Sequence, residues 1–327
     1  MSMALAERVF SVRADSLEEV ALEVFQYQYQ ENAIYKAYVD AINISPARVR
    51  SLLQIPFLPI QFFKSHKVVC GTFEPELIFE SSGTTQTVNS RHYVKESDIY
   101  TRSFMTAFEE MYGPVEDFVI LGLLPSYLER QHSSLVRMVQ ELVVRSNRPE
   151  SGFYLYEHEA LQQRLLELEA RKQKTLLIGV TFGLLDFAEK YQLSLRHTIV
   201  METGGMKGRR EEWTREEVHD YLKERLGAGA IHSEYGMTEL LSQAYSKGNG
   251  LFETPAWMKI LLRDENDPFQ LTEGKGAGVI NVIDLANIYS SAFIATDDIG
   301  KLHADGRFEV LGRLDNSALR GCSLMVS

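Results

Sequence analysis

Residues 175–202 read TLLIGVTFGLLDFAEKYQLSLRHTIVME. The run Thr175–Val180 is apolar and too short for anything but a buried strand, 182–191 carries apolar residues at helical spacing, and Thr198–Glu202 is a second short apolar run. Strand, helix, strand in that order is a right-handed crossover between parallel strands. The texture continues outward in both directions. Upstream, candidate strands Leu77–Glu80, Phe118–Leu124 and Phe153–Tyr156 alternate with helical patterns near 97–111, 132–145 and 158–172. Downstream, a helical pattern over 214–226 opens on Thr214-x-x-Glu217, a capping box that satisfies free amides at a helix start, and Ala230–Glu234 follows as a strand. The fold class is α/β, with a largely parallel sheet.

The flanks read differently. From Ser16 to about Asp40, Leu17, Val20, Ala21, Val24 and Phe25 predict one or two amphipathic helices. Ile55-Pro56-Phe57-Leu58-Pro59 cannot be helix interior, because proline lacks a donor and restricts its predecessor, so it reads as an extended connector. Beyond about residue 255, Met258–Leu262, Gly278–Ile283, Ala292–Thr296, Lys301–His303 and Phe308–Leu311 are short runs separated by Asp, Asn and Gly. They predict an antiparallel meander or a small distorted barrel. The expected division is a core over 1–255 under an N-terminal helical cover, and a β-rich part over 256–327 ending in a hinge-like tail.

Composition narrows the function. The 327 residues are 45% hydrophobic and 24% charged, which excludes disorder, collagen-like repeats and coiled coils as the main architecture. Forty-five acidic residues against 34 Lys plus Arg give a net charge of −11, which repels nucleic acid. Two cysteines, Cys70 and Cys322, make no disulfide framework, and Cys70 reads as an ordinary strand-end thiol. With no apolar signal core and no run of ~18 apolar residues to span a membrane, the expectation is a cytoplasmic protein.

Three segments carry chemistry. Phe79-Glu80-Ser81-Ser82-Gly83-Thr84-Thr85-Gln86 runs from a strand into a Ser/Thr/Gly cluster, with Arg91 and Lys95 beyond. Amides and hydroxyls around a glycine can converge on phosphates, although a polar turn between strands fits equally. Ser233-Glu234-Tyr235-Gly236-Met237-Thr238-Glu239 lies where a strand ends. Thr238 could donate to a phosphate and Glu239 bind Mg²⁺; alternatively Thr238 caps a helix and Glu239 complements its dipole. In Thr296-Asp297-Asp298, Asp305-Gly306 and Gly312-Arg313-Leu314-Asp315, Asp298 suits a ribose diol and Arg313 offers a fork of donors, while Asp305-Gly306 favours a hairpin turn. No His/Cys cluster has zinc spacing. His132 beside Ser133 and Ser134 only superficially suggests a nucleophile pair.

Together, in order, these motifs resemble the SSGTTG, YGxTE, TGD and GRxD signatures of adenylate-forming enzymes, the acyl, aryl and luciferin ligases. The resemblance implies that Ser81, Ser82, Gly83, Thr84 and Thr85 wrap the β- and γ-phosphates of ATP. It implies that Tyr235 stacks on adenine beside Gly236, Thr238 contacts the α-phosphate, Glu239 binds Mg²⁺, and Asp298 with Arg313 holds the ribose. Gly204 and Gly205, after Thr203, fall about where the family lines the adenine. The core over 1–255 is then the AMP-binding part. His92 and His232 could touch ATP, although a lone histidine is more often structural or solvated; Leu124-Pro125-Ser126-Tyr127 could line an acyl pocket or equally pack at the core edge. Gln86 stands where the family usually has glycine and Asn89 where it has lysine. Only twelve residues follow Asp315 (327 − 315), so the family's usual small C-terminal domain, with its catalytic lysine, is expected to be missing; Arg320, or Lys207, Arg209 and Arg210, are the substitutes by charge.

A short enzyme of this type ending Arg320-Gly321-Cys322-Ser323-Leu324 looks like the LuxE-type acyl-protein synthetases. That resemblance implies a fatty acid activated to acyl-AMP, transfer of the acyl group to Cys322, and delivery to a partner such as a fatty-acid reductase. A thiolate is a good nucleophile toward a mixed anhydride, and Arg320 would favour the thiolate. Two alternatives stand beside it: a ligase transferring to coenzyme A or a carrier protein, and a nucleotide-binding regulator without catalysis.

Overall fold

The computed structural model describes residues 2–81, 88–124, 131–204 and 213–314. Helices Ser2–Phe10 (α1), Leu17–Glu31 (α2) and Ala33–Ala41 (α3) come first, then Leu58–Pro59 (β1) and the short Phe62–Ser65 (α4). A hairpin, Leu77–Glu80 (β2) and Arg91–Val94 (β3), precedes Ser97–Tyr112 (α5). The parallel part alternates Val119–Leu123 (β4), Ser134–Ser146 (α6), Gly152–Phe153 (β5), His158–Ala170 (α7), Thr175–Gly179 (β6), Thr181–Lys190 (α8), Thr198–Glu202 (β7), Arg215–Leu226 (α9) and Ile231–Tyr235 (β8). Then come Ala244–Ser246 (β9), Phe252–Glu253 (β10), Met258–Arg263 (β11), Leu271–Thr272 (β12), Gly276–Asp284 (β13), Phe293–Leu302 (β14) and Phe308–Arg313 (β15).

Most of these strands form one sheet in the order β12-β11-β13-β14-β15-β10-β9-β8-β7-β6-β4-β5, with β1 pairing parallel to β14. The strands from β5 to β8 are parallel, and from β8 onward the neighbours are antiparallel. β8 is therefore where the pairing changes sense, and its C-terminal end opens the site described below.

Burial explains the alternation read around residues 175–202. β4 and β6 are buried along their full length, as expected of parallel strands with helices on both faces. Val119, Leu121 and Leu123 pack with Leu161, Leu165, Leu184 and Leu222 on one face, while Ile120 packs with Phe104, Phe108, Met138 and Leu142 on the other. Each such side chain contributes roughly 1.5–3 kcal/mol on burial. The capping box at α9 is present in full, Thr214 with Glu217.

Several sequence expectations need correction. Leu77–Glu80 is not part of the parallel sheet; it pairs antiparallel with Arg91–Val94 in a separate two-stranded sheet. Ala292–Thr296 and Lys301–His303 are one strand, β14, bent by a register shift at Ile299/Gly300. Gly300 permits that bend, because a Cβ there would lie 2.7 Å from the Glu309 carbonyl oxygen. Helix α1 went unread because its apolar face, with Leu5 and Val9 buried one turn apart, runs for only two and a half turns. Cys70 lies in irregular chain rather than at a strand end, with its thiol 3.4 Å from the Ile288 carbonyl oxygen; burial pushes that thiol well up, so it is inert.

The N-terminal helices support the site from behind. The Gln28 amide nitrogen donates to the carbonyls of Asn287 and Ile288 (both 2.9 Å), and its oxygen accepts from Ala292 N–H (3.0 Å). Asn32 caps α3 through Oδ1, accepting from Tyr35 N–H at 3.0 Å, while its amide nitrogen reaches the Ser290 carbonyl at 2.9 Å. Four buried bonds thus hold the 287–292 loop, whose Asn287 side chain enters the site. No helix among the described residues is long and apolar enough to cross a membrane.

Candidate active site

The segment after β8 is a turn, not the helix start that the sequence suggested. It is held by three buried side chains. Asp284, fully buried at the end of β13, accepts from Leu241 N–H (2.7 Å), Ser242 N–H (3.1 Å) and the Ser242 hydroxyl. His92 places Nδ1 2.9 Å from the Thr238 carbonyl and Nε2 3.0 Å from Asn287 Oδ1, and burial pushes the ring down to about 4, so it is neutral near pH 7. The Asn287 amide nitrogen donates to the Glu239 carbonyl at 2.8 Å. Both carbonyls of the Thr238-Glu239 pair are thereby fixed, which aims their side chains. His92 is a structural clamp, as read; Asp284 and Asn287 went unread because they sit among apolar residues with no motif around them.

The Asp298–Arg313 pair is built by strand register. Asp298 on β14 stands opposite Arg313 on β15, across a hairpin that turns at Asp305-Gly306 with Gly306 at φ +86°. Arg313 Nε donates to Asp298 Oδ1 at 2.8 Å, and the Tyr235 hydroxyl donates to Oδ2 at 2.9 Å. Burial and the neighbouring Asp298 carboxylate push the Tyr235 phenol well up, so it stays a donor. Its ring packs edge-on against Phe308 (5.5 Å) and Phe252 (5.9 Å). Asp297, the middle residue of the motif, instead accepts from Gln61 at 2.7 Å.

At the end of β7 the buried Glu202 carboxylate accepts from Thr181 Oγ1 (2.9 Å) and Gly204 N–H (2.7 Å), with Arg215 and His219 each 3.6 Å away. Burial alone would raise its pKa; His219, Arg215, Ser233 and the Gly204 amide outweigh that and hold it at about 2. Glu202 thus anchors the Thr203-Gly204 backbone from inside.

A cleft of about 520 Å³ opens at the C-terminal ends of the parallel strands. Ser81, Gly204, Gly236 and Thr238 line it together, although they come from three separate stretches of chain. The neck of the Ser81–Thr85 loop is closed by Ser81 N–H to the Ser90 carbonyl (3.1 Å) and Ser90 N–H to Ser81 Oγ (2.9 Å). His132, rather than pairing with a serine nucleophile, ties this neck to α6 through Glu80 N–H to its carbonyl, at 2.8 Å; Ser133 caps α6. Arg91 is engaged by Glu80 at 3.0 Å. His232 lies 3.1 Å from the Tyr112 hydroxyl, away from the cleft lining.

Glu239 is buried, and burial raises its pKa, opposed by hydrogen bonding from Ser90 and by the charges of Arg313 and Lys64. Among the described residues no group of three His, Cys, Asp or Glu side chains could hold a metal ion. A single hard carboxylate such as Glu239, held by Ser90, fits Mg²⁺, which keeps most of its waters and takes its other ligands from elsewhere.

Two further cleft residues, Glu234 and Gln243, were not singled out from sequence. Burial pushes the Glu234 carboxyl up to about 8, and repulsion from Glu202 adds to it. Between its ordinary value of 4.5 and about 8 the folded chain holds this proton and the unfolded chain does not, so stability falls as pH rises through that window. Glu234→Gln is therefore expected to gain about 1–3 kcal/mol over the parent at pH 8 and nothing at pH 5 by chemical denaturation, the part exposure of the side chain setting the low end. Equal effects at the two pH values would refute this.

Of the predicted residues, Tyr235, Asp298 and Arg313 are bonded to one another, and Glu239 lies close enough to Arg313 to feel its charge. Ser82, Gly83, Thr84, Thr85, Gly205 and Cys322, with Gln86, Lys207, Arg209, Arg210, Ser126, Tyr127 and Arg320, lie outside the described residues.

A family model described as "Acyl-protein synthetase, LuxE" matches residues 10–327. No curated protein sequence matches the chain. Among solved structures, the open conformation of 2-hydroxyisobutyryl-CoA ligase in complex with 2-HIB-AMP and CoA is similar at a TM-score of 0.65 and 14% identity, covering 95% of this chain and 78% of that one. ATP-bound MatB from Rhodopseudomonas palustris is similar at 0.53 and 19% identity, over 74% of this chain and 49% of MatB, about half its length. At such identities these likenesses speak for the fold.

Proposed function

The chain belongs to the LuxE acyl-protein synthetase family and is an adenylate-forming ligase; from that premise we propose that it turns a carboxylic acid and ATP into acyl-AMP and pyrophosphate, and then carries the acyl group on Cys322 to a partner protein. The supporting observation is that Ser81, Gly204, Gly236 and Thr238 line one cleft beside the bonded trio Tyr235, Asp298 and Arg313. The resemblance points to a fatty acyl chain and a reductase as acceptor; the chemistry itself asks only for a carboxylate.

Among the described residues each Asp298 oxygen takes one side-chain donor, and a carboxylate oxygen can accept a second, which suits the two hydroxyls of a ribose. The part of the chain after residue 256 would then supply the ribose grip and the earlier part the phosphate and acyl contacts. Thr238, aimed by His92, would donate to the α-phosphate, whose phosphorus accepts the acid's carboxylate oxygen as pyrophosphate departs. Glu239 would hold Mg²⁺, whose bound charge disperses that of the phosphates. The Cys322 thiolate would next attack the acyl carbon, forming the C–S bond as AMP leaves with the electron pair of the broken C–O bond.

ATP–pyrophosphate exchange across a panel of carboxylic acids tests the first stage; ATP binding without exchange for any acid would favour the regulator. Cys322→Ser tests the second. Exchange is expected to continue while acyl-labelled enzyme disappears from a thioester-preserving gel. Undiminished acyl transfer to soluble thiols in this variant would sink the covalent route and favour direct transfer to coenzyme A or a carrier.

A further inference from the structure

The cleft is not uniform. Tyr100, Leu135, Met138 and Val180 give it an apolar wall, while two polar side chains stand together on the β8 side. Gln243 is 3% exposed, and its Oε1 has no hydrogen-bond partner among the described residues. The Glu234 carboxyl lies beside it: a Cβ on Gly236 would run into Glu234 Oε1 and come within 3.4 Å of Gln243 Cγ, so both side chains converge on the one position kept clear by a glycine. Gln243 is also rigidly placed, following Leu241 and Ser242, which Asp284 holds. A buried acceptor left unpaired costs free energy unless something donates to it.

We propose that the acid accepted by this cleft carries a hydrogen-bond donor on its chain, a hydroxyl or an ammonium group, and that Gln243 and Glu234 select it. This rests on the reading of the cleft as the place where acid meets nucleotide. A plain alkyl chain would cover Gln243 Oε1 and the Glu234 carboxyl without pairing either. A donor-bearing chain satisfies both while its methylenes lie against the Tyr100–Met138 wall. A site made for a donor rejects analogues that lack it more strongly than an apolar pocket rejects a missing methylene.

The test is ATP–pyrophosphate exchange by the full chain with straight-chain acids of four to eight carbons and with their hydroxy and amino counterparts. Calorimetric titration of the same acids in the presence of a non-hydrolysable ATP analogue provides a binding readout. The donor-bearing acids are expected to exceed the plain ones by about 100-fold in kcat/KM. Gln243→Met, close in shape and apolar, and Glu234→Met, which removes both carboxyl oxygens, should each shrink that ratio at least about tenfold, with the change in the acid's KM and not in that of ATP. Within the donor-bearing set, a larger fall for amino than for hydroxy acids in Glu234→Gln identifies the ammonium. Preference of the parent chain for plain acids would overturn the proposal and leave adenylation standing. So would a ratio unmoved in both Gln243→Met and Glu234→Met, or a parallel rise in the KM of ATP, which would assign Gln243 to the nucleotide. Exchange with no acid at all would remove the adenylation reading, and this one with it.

Discussion

Asp298→Ala is expected to lower kcat/KM for ATP in pyrophosphate exchange by about 10³-fold, at two charge-assisted hydrogen bonds of roughly 1.5–3 kcal/mol each. The carboxylate is 5% exposed and bonded at one oxygen by Tyr235 and at the other by Arg313. Its removal takes away the proposed ribose acceptor and leaves a phenol and a guanidinium facing each other across the gap. Asp298→Asn separates those effects. It keeps one acceptor oxygen but turns an amide N–H₂ toward a donor, so it should fall between the parent and the alanine variant. The loss belongs in the KM of ATP and in the melting-temperature gain that ATP confers on the parent. If Asp298→Ala binds ATP as tightly as the parent does, the ribose assignment is wrong.

That pair also shows what a sequence can carry. Asp298 and Arg313 were legible only through the motifs that resemble the adenylate-forming signatures; the structure gives the physical reason, since fifteen residues separate them across a tight turn and hairpin register converts such a spacing into contact. The crossover at 175–202 was legible because buried parallel strands need continuous apolar runs, and β6 and β7 supply them. The helix expected after Tyr235 failed for a definite reason. The polar residues after β8 look like a cap, yet their backbone groups are claimed by Asp284, His92 and Asn287, which lie 43, 146 and 48 positions from their respective partners Leu241, Thr238 and Glu239. Local propensity yields to such long-range bonds. Gln243 and Glu234 were invisible for a related reason: a lone glutamine carries no motif, and a strand-end glutamate reads as solvated until the sheet on either side is known.

The second large effect falls on stability. Asp284→Ala is expected to cost about 3–5 kcal/mol, within the range for leaving a buried charged network broken. Asp284 is fully buried, and burial raises its pKa, against the lowering effect of Ser242 and of the Leu241, Ser242 and Ala286 amides. Alanine would leave two amide N–H groups and the Ser242 hydroxyl without their acceptor in a dry interior. The damage would spread through Ser242, whose Oγ also lies 3.0 Å from Ser103 Oγ and accepts from the Trp257 indole N–H at 3.0 Å, joining α5 to the residue just before β11. Asp284→Asn retains one acceptor and should cost less, because the Ser242 hydroxyl can rotate to accept from the new amide while Leu241 N–H keeps an oxygen. Denaturant unfolding at pH 7 gives the numbers, and a fall in melting temperature of roughly 10 °C should accompany them. The two substitutions also rank causes: if Asn costs as much as Ala, the ionised carboxylate holds the turn; if Ala costs under about 1 kcal/mol, water replaces the carboxylate and the turn carrying Thr238 and Glu239 is held from the His92 and Asn287 side alone.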